Sequence, residues 1–386
     1  MLGLEPAGSE APSGIHFGEV KLNARIGARV AVDGAGYLPT NNLAGFDDGV
    51  QLRRLYFTAE GDFILVLPGS YKIQIGYTHP QFSLRESYLL FKDIRFIGDL
   101  QVGQFTAPQG LEALISSRDL TFMEVAAPID ALAPGTQAGI QIGKPVFHER
   151  ATWTLGLLSE STSKTEGDAS RNYGRAMVRL TGLPIDEVNP EQPSSKRLLH
   201  LGLSANILYS TTSTVRYKSR PESNQAPYVI DTGDIPANTA TVVGTEAAWV
   251  NGPFTVQGEY LQSFVNESQS RRLNFYGLYA EASWYLTGES RPYDRRAGQF
   301  TRLYPKQNFR FGESGWGALE VAGRYSLTNL SDGNIQGGRL RMFMVGLNWY
   351  LTPHVKCMFN YGFGRVDRGA SDGNMNIFQM RVEVDL

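Results

Sequence analysis

The sequence has only one cysteine, Cys357, which excludes an internal disulfide framework and a cysteine-rich metal site. It also lacks long apolar runs: the longest, at residues 63–67, is far shorter than the ~18 residues that a transmembrane helix needs. The formal charge of −2 shows no basic excess. Helical membrane proteins, disulfide-stapled domains and dedicated nucleic-acid-binding proteins are therefore disfavoured.

What the sequence does contain is a two-residue alternation of apolar and polar side chains. Every second residue from Val20 to Val32 is apolar, whereas Arg25 and Arg29 belong to the opposite, polar face. The same alternation runs through residues 199–209 and closes the chain at residues 376–386. This period predicts long β-strands and excludes amphipathic helices.

The alternation predicts sixteen strands, which are longer than is usual in globular sheets but suit tilted strands that cross a bilayer. They are predicted at residues 17–32, 50–60, 71–78, 83–92, 94–105, 138–143, 150–158, 174–182, 197–210, 241–251, 253–263, 272–286, 316–327, 338–351, 353–365 and 376–386. Strands in lipid must close into a barrel so that every backbone group is paired. We predict an all-β fold, a 16-stranded antiparallel transmembrane β-barrel over residues 17–386, with an aqueous channel.

The connections alternate in length, as they do in outer-membrane barrels. Long polar connections are predicted at residues 33–49, 106–137, 159–173 and 211–240, and minimal turns at residues 251–252 and 352. We expect residues 106–137, which contain three prolines, to fold inward as a constriction loop. Two connections on the short side, residues 183–196 and 287–315, are longer than this rule predicts.

The first residues contain no apolar export signal, because residues 1–14 are rich in glycine, proline, serine and glutamate. We interpret the chain as a mature form from which the signal has been removed. Residues 1–16 are then expected to be a flexible or periplasmic segment. The expected location is the outer membrane of a Gram-negative bacterium.

Two rival classes are a soluble all-β protein and an outer-membrane hydrolase built on a barrel. A soluble protein should have shorter strands and should not keep apolar faces along the whole chain. The five histidines, at positions 16, 79, 148, 200 and 354, form no metal-binding pair, and no Gly-x-Ser-x-Gly motif is present. We therefore expect no enzyme activity, no metal and no cofactor.

The basic residues are lopsided, with 27 arginines and nine lysines, and arginine presents a charged planar fork suited to oxyanions. Arg25 and Arg29 should point into the lumen. The alternation changes phase at Arg53-Arg54, which suggests a β-bulge that aims both side chains inward. The alternatives are a lumenal charge that balances a nearby acid and an arginine that extends to the membrane interface.

The long connection after the ninth strand contains Arg216, Lys218 and Arg220 at a two-residue spacing. An extended segment would present the three cations on one side as a ladder for anions; the alternative is a solvated loop that faces lipopolysaccharide phosphates. Arg118 belongs to the expected constriction loop, and Glu86 is a candidate counter-charge for the arginines. The clusters Arg271-Arg272 and Arg295-Arg296 are interpreted as solvated charges or lipid head-group contacts.

Several segments together resemble the phosphate-selective porin O and P family. They are VGQFTAPQGLE at residues 102–112, SSRDLTFME at 116–124, SRPES at 219–223, DTG at 231–233, WYLTGESRPY at 284–293 and NWYLT at 348–352. The resemblance extends from about residue 50 to the C-terminus. It implies a sixteen-stranded trimeric porin, with an anion path lined by arginines and narrowed by inward-folded loops, and it places a lumenal arginine pair at Arg53-Arg54.

The expected function is passive diffusion of anions such as phosphate, pyrophosphate or polyphosphate. A general or sugar-conducting porin is the alternative, because tyrosine and tryptophan side chains could stack on sugars, although their lipid-side positions suit interfacial girdles better. The expected partners are small anionic solutes, outer-membrane lipids including lipopolysaccharide, and two further copies of the chain in a homotrimer. No nucleic acid is expected.

Overall fold

A single closed sheet of sixteen antiparallel strands forms the protein in a computed structural model, which describes residues 15–17, 20–40, 42–65, 67–78, 81–159, 173–189, 192–210, 214–267, 272–312 and 315–386. Each strand pairs with its neighbours in sequence, and the last pairs with the first. The predicted fold class is confirmed. The strands are β1 Arg25–Pro39, β2 Gly49–Ile64, β3 Pro68–Thr78, β4 Gln81–Ile94, β5 Gly98–Thr106, β6 Thr136–Val146, β7 Ala151–Ser159, β8 Tyr173–Asn189, β9 Gln192–Ser210, β10 Ile235–Asn251, β11 Phe254–Glu267, β12 Arg272–Tyr285, β13 Ala318–Asp332, β14 Ile335–Thr352, β15 Val355–Asp367 and β16 Gly373–Asp385.

The first predicted strand, residues 17–32, is wrong in its bounds. A separate short strand, Val20–Leu22, lies against the end of β2, and β1 starts only at Arg25. The chain is interrupted at Asn23, whose side-chain oxygen accepts a hydrogen bond from the Asp62 backbone N–H at 2.7 Å. The alternation continues across this interruption, so periodicity alone does not reveal it.

One of the two unexpectedly long connections, residues 183–196, consists mainly of strand. β8 continues to Asn189 and β9 begins at Gln192, so only residues 190 and 191, which are outside the described residues, connect the two strands. The barrel therefore has an end with short turns, where β1 begins and β16 ends, and an opposite end with long loops. We call these the turn end and the loop end.

The two faces of the sheet differ as predicted. On β14 the exposed outer side chains include Phe343, Val345 and Leu347, whereas Met342 and Met344 are buried towards the lumen. On β1, Arg29 is buried in the lumen and Val30 is exposed outside. The outer face is thus apolar, as a lipid-facing barrel surface requires.

The orientation of the strands can be tested with a charge placed on each face. We expect Leu347→Arg, on the outer face, to destabilise the folded barrel in lipid vesicles by about 2–4 kcal/mol, because arginine is poorly solvated near the bilayer midplane. Gln74→Arg, on the lumenal side, is the matched control and should change stability little. Urea unfolding measures both, and equal stabilities would contradict the assignment of faces.

Among the described parts of the chain, three connections fold into the barrel. The loop between β5 and β6 contains the short helices α1 Leu111–Leu114 and α2 Ala127–Leu132, and its buried Phe122 and Ile129 pack within the lumen. This confirms the predicted inward-folded constriction loop. Residues 214–234, between β9 and β10, enter from the loop end, with Ile230 fully buried.

The third inserted connection, residues 286–317, explains the other long connection on the short side. It forms a small hairpin, Tyr293–Asp294 with Gln299–Phe300, whose buried Phe300 packs against residues of the constriction loop and the barrel wall. Folded chain thus fills much of the lumen. Within the described residues, no helix is long and apolar enough to cross a membrane.

Candidate functional site: a lumenal cavity lined by arginines

A cavity of about 1190 Å³ remains in the lumen, bounded by β1–β8, the end of β16, the constriction loop and residues 294–302 of the third inserted connection. Eleven basic and eight acidic side chains line it, which gives a formal surplus of three positive charges. The basic residues are Arg25, Arg29, Arg54, Lys72, Arg85, Lys92, Arg118, Lys144, Arg179, Arg296 and Arg302. The cavity wall is therefore polar, charged and moderately cationic.

The predicted β-bulge is present on β2. Ala31 of β1 pairs with Arg54, but the next residue, Val32, pairs with Leu52, so Arg53 is the extra residue. A bulge turns two successive side chains towards the same face. Arg53 and Arg54 both point into the lumen for this reason, and Arg54 is 4 % exposed.

Glu124 of the constriction loop joins these two arginines to a third, Arg381 on β16. Arg53 Nε and Nη2 each donate to the Glu124 carboxylate at 2.9 Å, Arg381 Nη2 donates at 2.8 Å, and Arg54 Nη2 lies 3.7 Å away. Burial alone would raise the pKa of Glu124, but the three guanidiniums hold it well below its usual range. We call Arg53, Arg54, Arg381 and Glu124 the arginine cluster.

Two arginine nitrogens at the cavity wall have no hydrogen-bond partner among the described residues. These are Arg54 Nη1 and Arg29 Nε, and both are buried. Arg29 otherwise donates to Glu383 at 2.7 Å and to Ser117 of the constriction loop at 3.0 Å. Unpaired buried donors are costly, and a bound anion or water would satisfy them.

The acid that pairs with Arg53 and Arg54 is Glu124, and the prediction of Glu86 in this role is corrected. Glu86 accepts from Lys72 Nζ at 2.6 Å and from the Thr106 hydroxyl at 2.9 Å. The sequence offered no spacing that related Glu124 to β2, because the two are joined only through the inward fold of the constriction loop.

Two further predicted cations, Arg25 and Arg118, line the turn end of the cavity. Arg118 Nη1 donates to Asp385 at 3.1 Å, and Arg302 also forms an ion pair with Asp385. Arg25 is well exposed and lies 3.7 Å from Glu60. The structure thus brings Arg25, Arg29, Arg54 and Arg118 to one cavity, and their use by anions stays a prediction.

The three cations of the outer loop share one side, as an extended segment requires. Lys218 and Arg220 lie over the Tyr228 ring, at 4.2 Å and 3.9 Å from its centroid. Arg216 Nε donates to Asp231 at 2.8 Å. Whether they act as a ladder for anions stays a prediction.

The clusters Arg271-Arg272 and Arg295-Arg296 are predicted to be solvated charges or lipid head-group contacts, and Arg296 is the member that also lines the cavity. Its side chain is 45 % exposed, as predicted for a solvated charge, but it also forms ion pairs with Asp93, Asp99 and Glu149. Arg295 is paired with Asp186 and partly exposed, and Arg272 lies over the Phe264 ring. Arg271 is outside the described residues.

Sequence reasoning missed Arg324, the fully buried arginine of β13. Its guanidinium forms ion pairs with three buried glutamates, Glu112, Glu222 and Glu281. Glu222 also accepts from the N–H of Ala127 at the start of α2, at 3.1 Å. This group, which we call the loop anchor, fixes the constriction loop and the outer loop to the wall. Strand phase would have placed Arg324 in the lumen, but not its partners.

A second wall residue holds the constriction loop. Glu259 of β11 accepts from the backbone N–H groups of Leu111 and Glu112 at 2.9 and 2.7 Å. These donors open α1 and would otherwise be unpaired, because the first N–H groups of a helix have no partner within it. Carboxylates at both helix starts therefore define the position of the loop inside the barrel.

A family model described as phosphate-selective porin O and P matches residues 24–386. The chain belongs to this family. Porin O of Pseudomonas aeruginosa is 24 % identical, over 92 % of this chain and 86 % of that protein. An uncharacterized protein of Caulobacter vibrioides is 28 % identical, over 88 % of this chain and 69 % of that protein.

Among solved structures, the anion-selective porin of Comamonas acidovorans has a similar fold. It aligns with a TM-score of 0.54 over 95 % of this chain and 100 % of that one, at 12 % identity. The chain is thus an outer-membrane porin by family and fold. A closed barrel with a cationic cavity among the described residues of its lumen is the architecture of a porin.

Proposed function

We propose that this porin is a passive channel that favours small anions, with phosphate, pyrophosphate and polyphosphate as the expected solutes. The observation that carries the proposal is the pair of buried arginine donors, Arg54 Nη1 and Arg29 Nε, beside the cavity. Arginine forks match phosphate oxygens in geometry and charge. Both donors are buried, so each side chain would have to turn towards the cavity for an anion to reach it. The anion could then pass from one guanidinium to the other, without one site that holds it too tightly for transport.

The arginine cluster supports a narrow part of the lumen that selects for anions. Glu124 already occupies the guanidinium fork of Arg53 and accepts one hydrogen bond from Arg381, whose own fork is held by Asp33 at 2.7 Å. Glu124 thus acts as a resident anion that an incoming phosphate must displace or share. Such competition weakens binding and favours release. The lysine–glutamate pair Lys72–Glu86 and the ion pairs of Arg296 similarly moderate the positive field.

The eight acidic residues in the same cavity favour one alternative, a general or sugar-conducting porin with weak selectivity. The two functions can be distinguished by the reversal potential in a salt gradient and by whether phosphate blocks the chloride current. A selective channel should show an anionic reversal potential and a chloride current that phosphate blocks at saturation. A general channel should show neither.

Family membership supports the remaining parts of the proposal. We propose a homotrimer in a Gram-negative outer membrane, with lipopolysaccharide around it and both barrel termini on the periplasmic side. The predicted periplasmic or flexible segment, residues 1–16, lies outside the described residues up to residue 14, whereas Ile15 and His16 belong to a short strand, Ile15–Phe17, that pairs with Val20–Leu22. Removal of an export signal stays part of the proposal. The loop end, with Arg216, Lys218 and Arg220, would then face the outside.

Single-channel recording in planar bilayers tests the solute preference. We expect Arg54→Ala and Arg53→Ala each to weaken phosphate block by about tenfold, because each removes a charge-assisted donor worth roughly 1.5–3 kcal/mol. Arg365→Ala, on the outer face, is the control and should leave the block unchanged. A cation-selective or phosphate-insensitive wild-type current would leave the barrel standing and refute the proposed specificity.

A further inference from the structure

The outer face carries a second group of arginines that has no part in the lumenal cavity. Arg339 and Arg341 on β14, and Arg365 on β15, continue the outward-facing phase of Phe343 and Phe363. In the sheet, Arg341 lies opposite Arg365, and Arg339 lies opposite Asp367. These four residues form what we call the outer-face cluster.

The height of this cluster places it at a membrane boundary. Arg341 is ten residues from Leu351, at the turn end of β14. At ~3.3 Å per residue and a tilt of about 40°, this distance is about 25 Å, the height of the apolar band of an outer-membrane barrel. Between the two, the outer side chains are Phe343, Val345, Leu347 and Trp349. The arginines therefore lie just above the apolar band, at the loop end.

The geometry leaves the cluster short of negative charge. Asp367 accepts from Arg341 Nη1 at 2.7 Å and from Arg365 Nε at 3.0 Å, so both of its oxygens are in use. Arg339 Nε is buried and has no partner among the described residues. Like charges directly opposite each other in a sheet are destabilising, so Arg341 opposite Arg365 calls for an anion that compensates for them.

The surroundings identify the kind of anion. A soluble phosphate would gain nothing from the exposed rings of Phe343 and Phe363, one position below the arginines. An amphipathic ligand would use both features, with its phosphate on the guanidiniums and its acyl chains along the rings. Asn374, opposite Arg365 on β16, adds an amide donor at the same height.

We propose that the outer-face cluster binds the phosphorylated head group of an outer-leaflet glycolipid, that is, a lipid A phosphate. The inference uses the membrane orientation given under Proposed function but not the conduction of anions. Asp367 holds two guanidiniums side by side, and Arg339, opposite Asp367, supplies the third positive charge of the site. The lipid then screens the repulsion between Arg341 and Arg365.

The test is equilibrium binding of fluorescent bis-phosphorylated lipid A to the purified porin in detergent, with dephosphorylated lipid A as the second ligand. We expect the Arg339→Gln/Arg341→Gln/Arg365→Gln variant to bind on the order of 100-fold more weakly, at roughly fivefold per arginine. The control is Arg216→Gln/Lys218→Gln/Arg220→Gln, which removes three cations at the same end from a loop that enters the lumen, away from the outer face. It should bind lipid A within about twofold of wild type, and a comparable loss of binding would assign the lipid phosphate to this loop instead.

Three results would overturn the proposal. Equal binding by both triple variants, or equal binding of dephosphorylated lipid A, would refute a phosphate site. Complete displacement by millimolar inorganic phosphate would assign the cluster to a soluble anion. If the triple variant fails the heat-modifiability assay for a folded barrel, Arg365→Gln alone, at a side chain 60 % exposed, is used, and about fivefold weaker binding is expected.

Discussion

Arg324→Met should both widen the channel and lower the stability of the barrel. Arg324 is the cation that Glu112, Glu222 and Glu281 share in the filled half of the lumen. Removing Arg324 leaves three buried carboxylates without their shared cation, and breaking such a network lowers the free energy of unfolding by about 3–5 kcal/mol. The barrel keeps its backbone pairing, so the constriction loop and the outer loop should lose their fixed positions before the barrel unfolds.

Conductance in planar bilayers and urea unfolding in lipid vesicles measure these two effects. We expect a larger and noisier single-channel conductance, because α1 and α2 lose their fixed position, together with a lower unfolding midpoint. Arg341→Met is the matched control, since it removes an arginine from the neighbouring strand on the outer face. An unchanged conductance in Arg324→Met would show that the constriction loop does not depend on the loop anchor.

The strands and their faces could be predicted from the sequence because both depend on local alternation. A bilayer outside and water inside force a two-residue period, and all sixteen predicted strands have a counterpart in the barrel. The bulge at Arg53-Arg54 was predictable for the same reason, since a phase change in the pattern marks the extra residue. The bounds of β1 were not, because Asn23 interrupts pairing without interrupting the period.

The partners of the arginines could not be predicted, because they come from loops that fold back on the wall. Glu124 and Arg53 are 71 positions apart, and Arg324 and Glu112 are 212 positions apart. No period relates such pairs. Strand phase gives the direction of Arg381 and Arg324, but only the path of the constriction loop shows which carboxylate reaches them. The counter-charge was consequently assigned to Glu86, an acid on a strand, and not to Glu124.

Glu124→Gln is expected to strengthen phosphate binding in the channel. Glu124 is the carboxylate that Arg53, Arg54 and Arg381 share, and those arginines keep it ionised. A neutral amide can accept a hydrogen bond but does not compensate their charge. The vacated fork of Arg53, beside the charges of Arg54 and Arg381, would favour a phosphate by about 1.5–3 kcal/mol, which corresponds to roughly a tenfold or greater gain in affinity. Phosphate should therefore block the chloride current at lower concentrations, and its own transit should slow because release becomes harder.

Glu86→Gln separates this local effect from a general change in charge. It removes one negative charge from the same cavity, but at the Lys72 pair and not at the arginine cluster. Both variants should shift the reversal potential towards anions by a similar amount, since that quantity follows the overall field. Only Glu124→Gln should tighten the block. Equal tightening in the two variants would mean that phosphate responds to the total charge of the cavity, and the arginine cluster would then have no special role in its recognition.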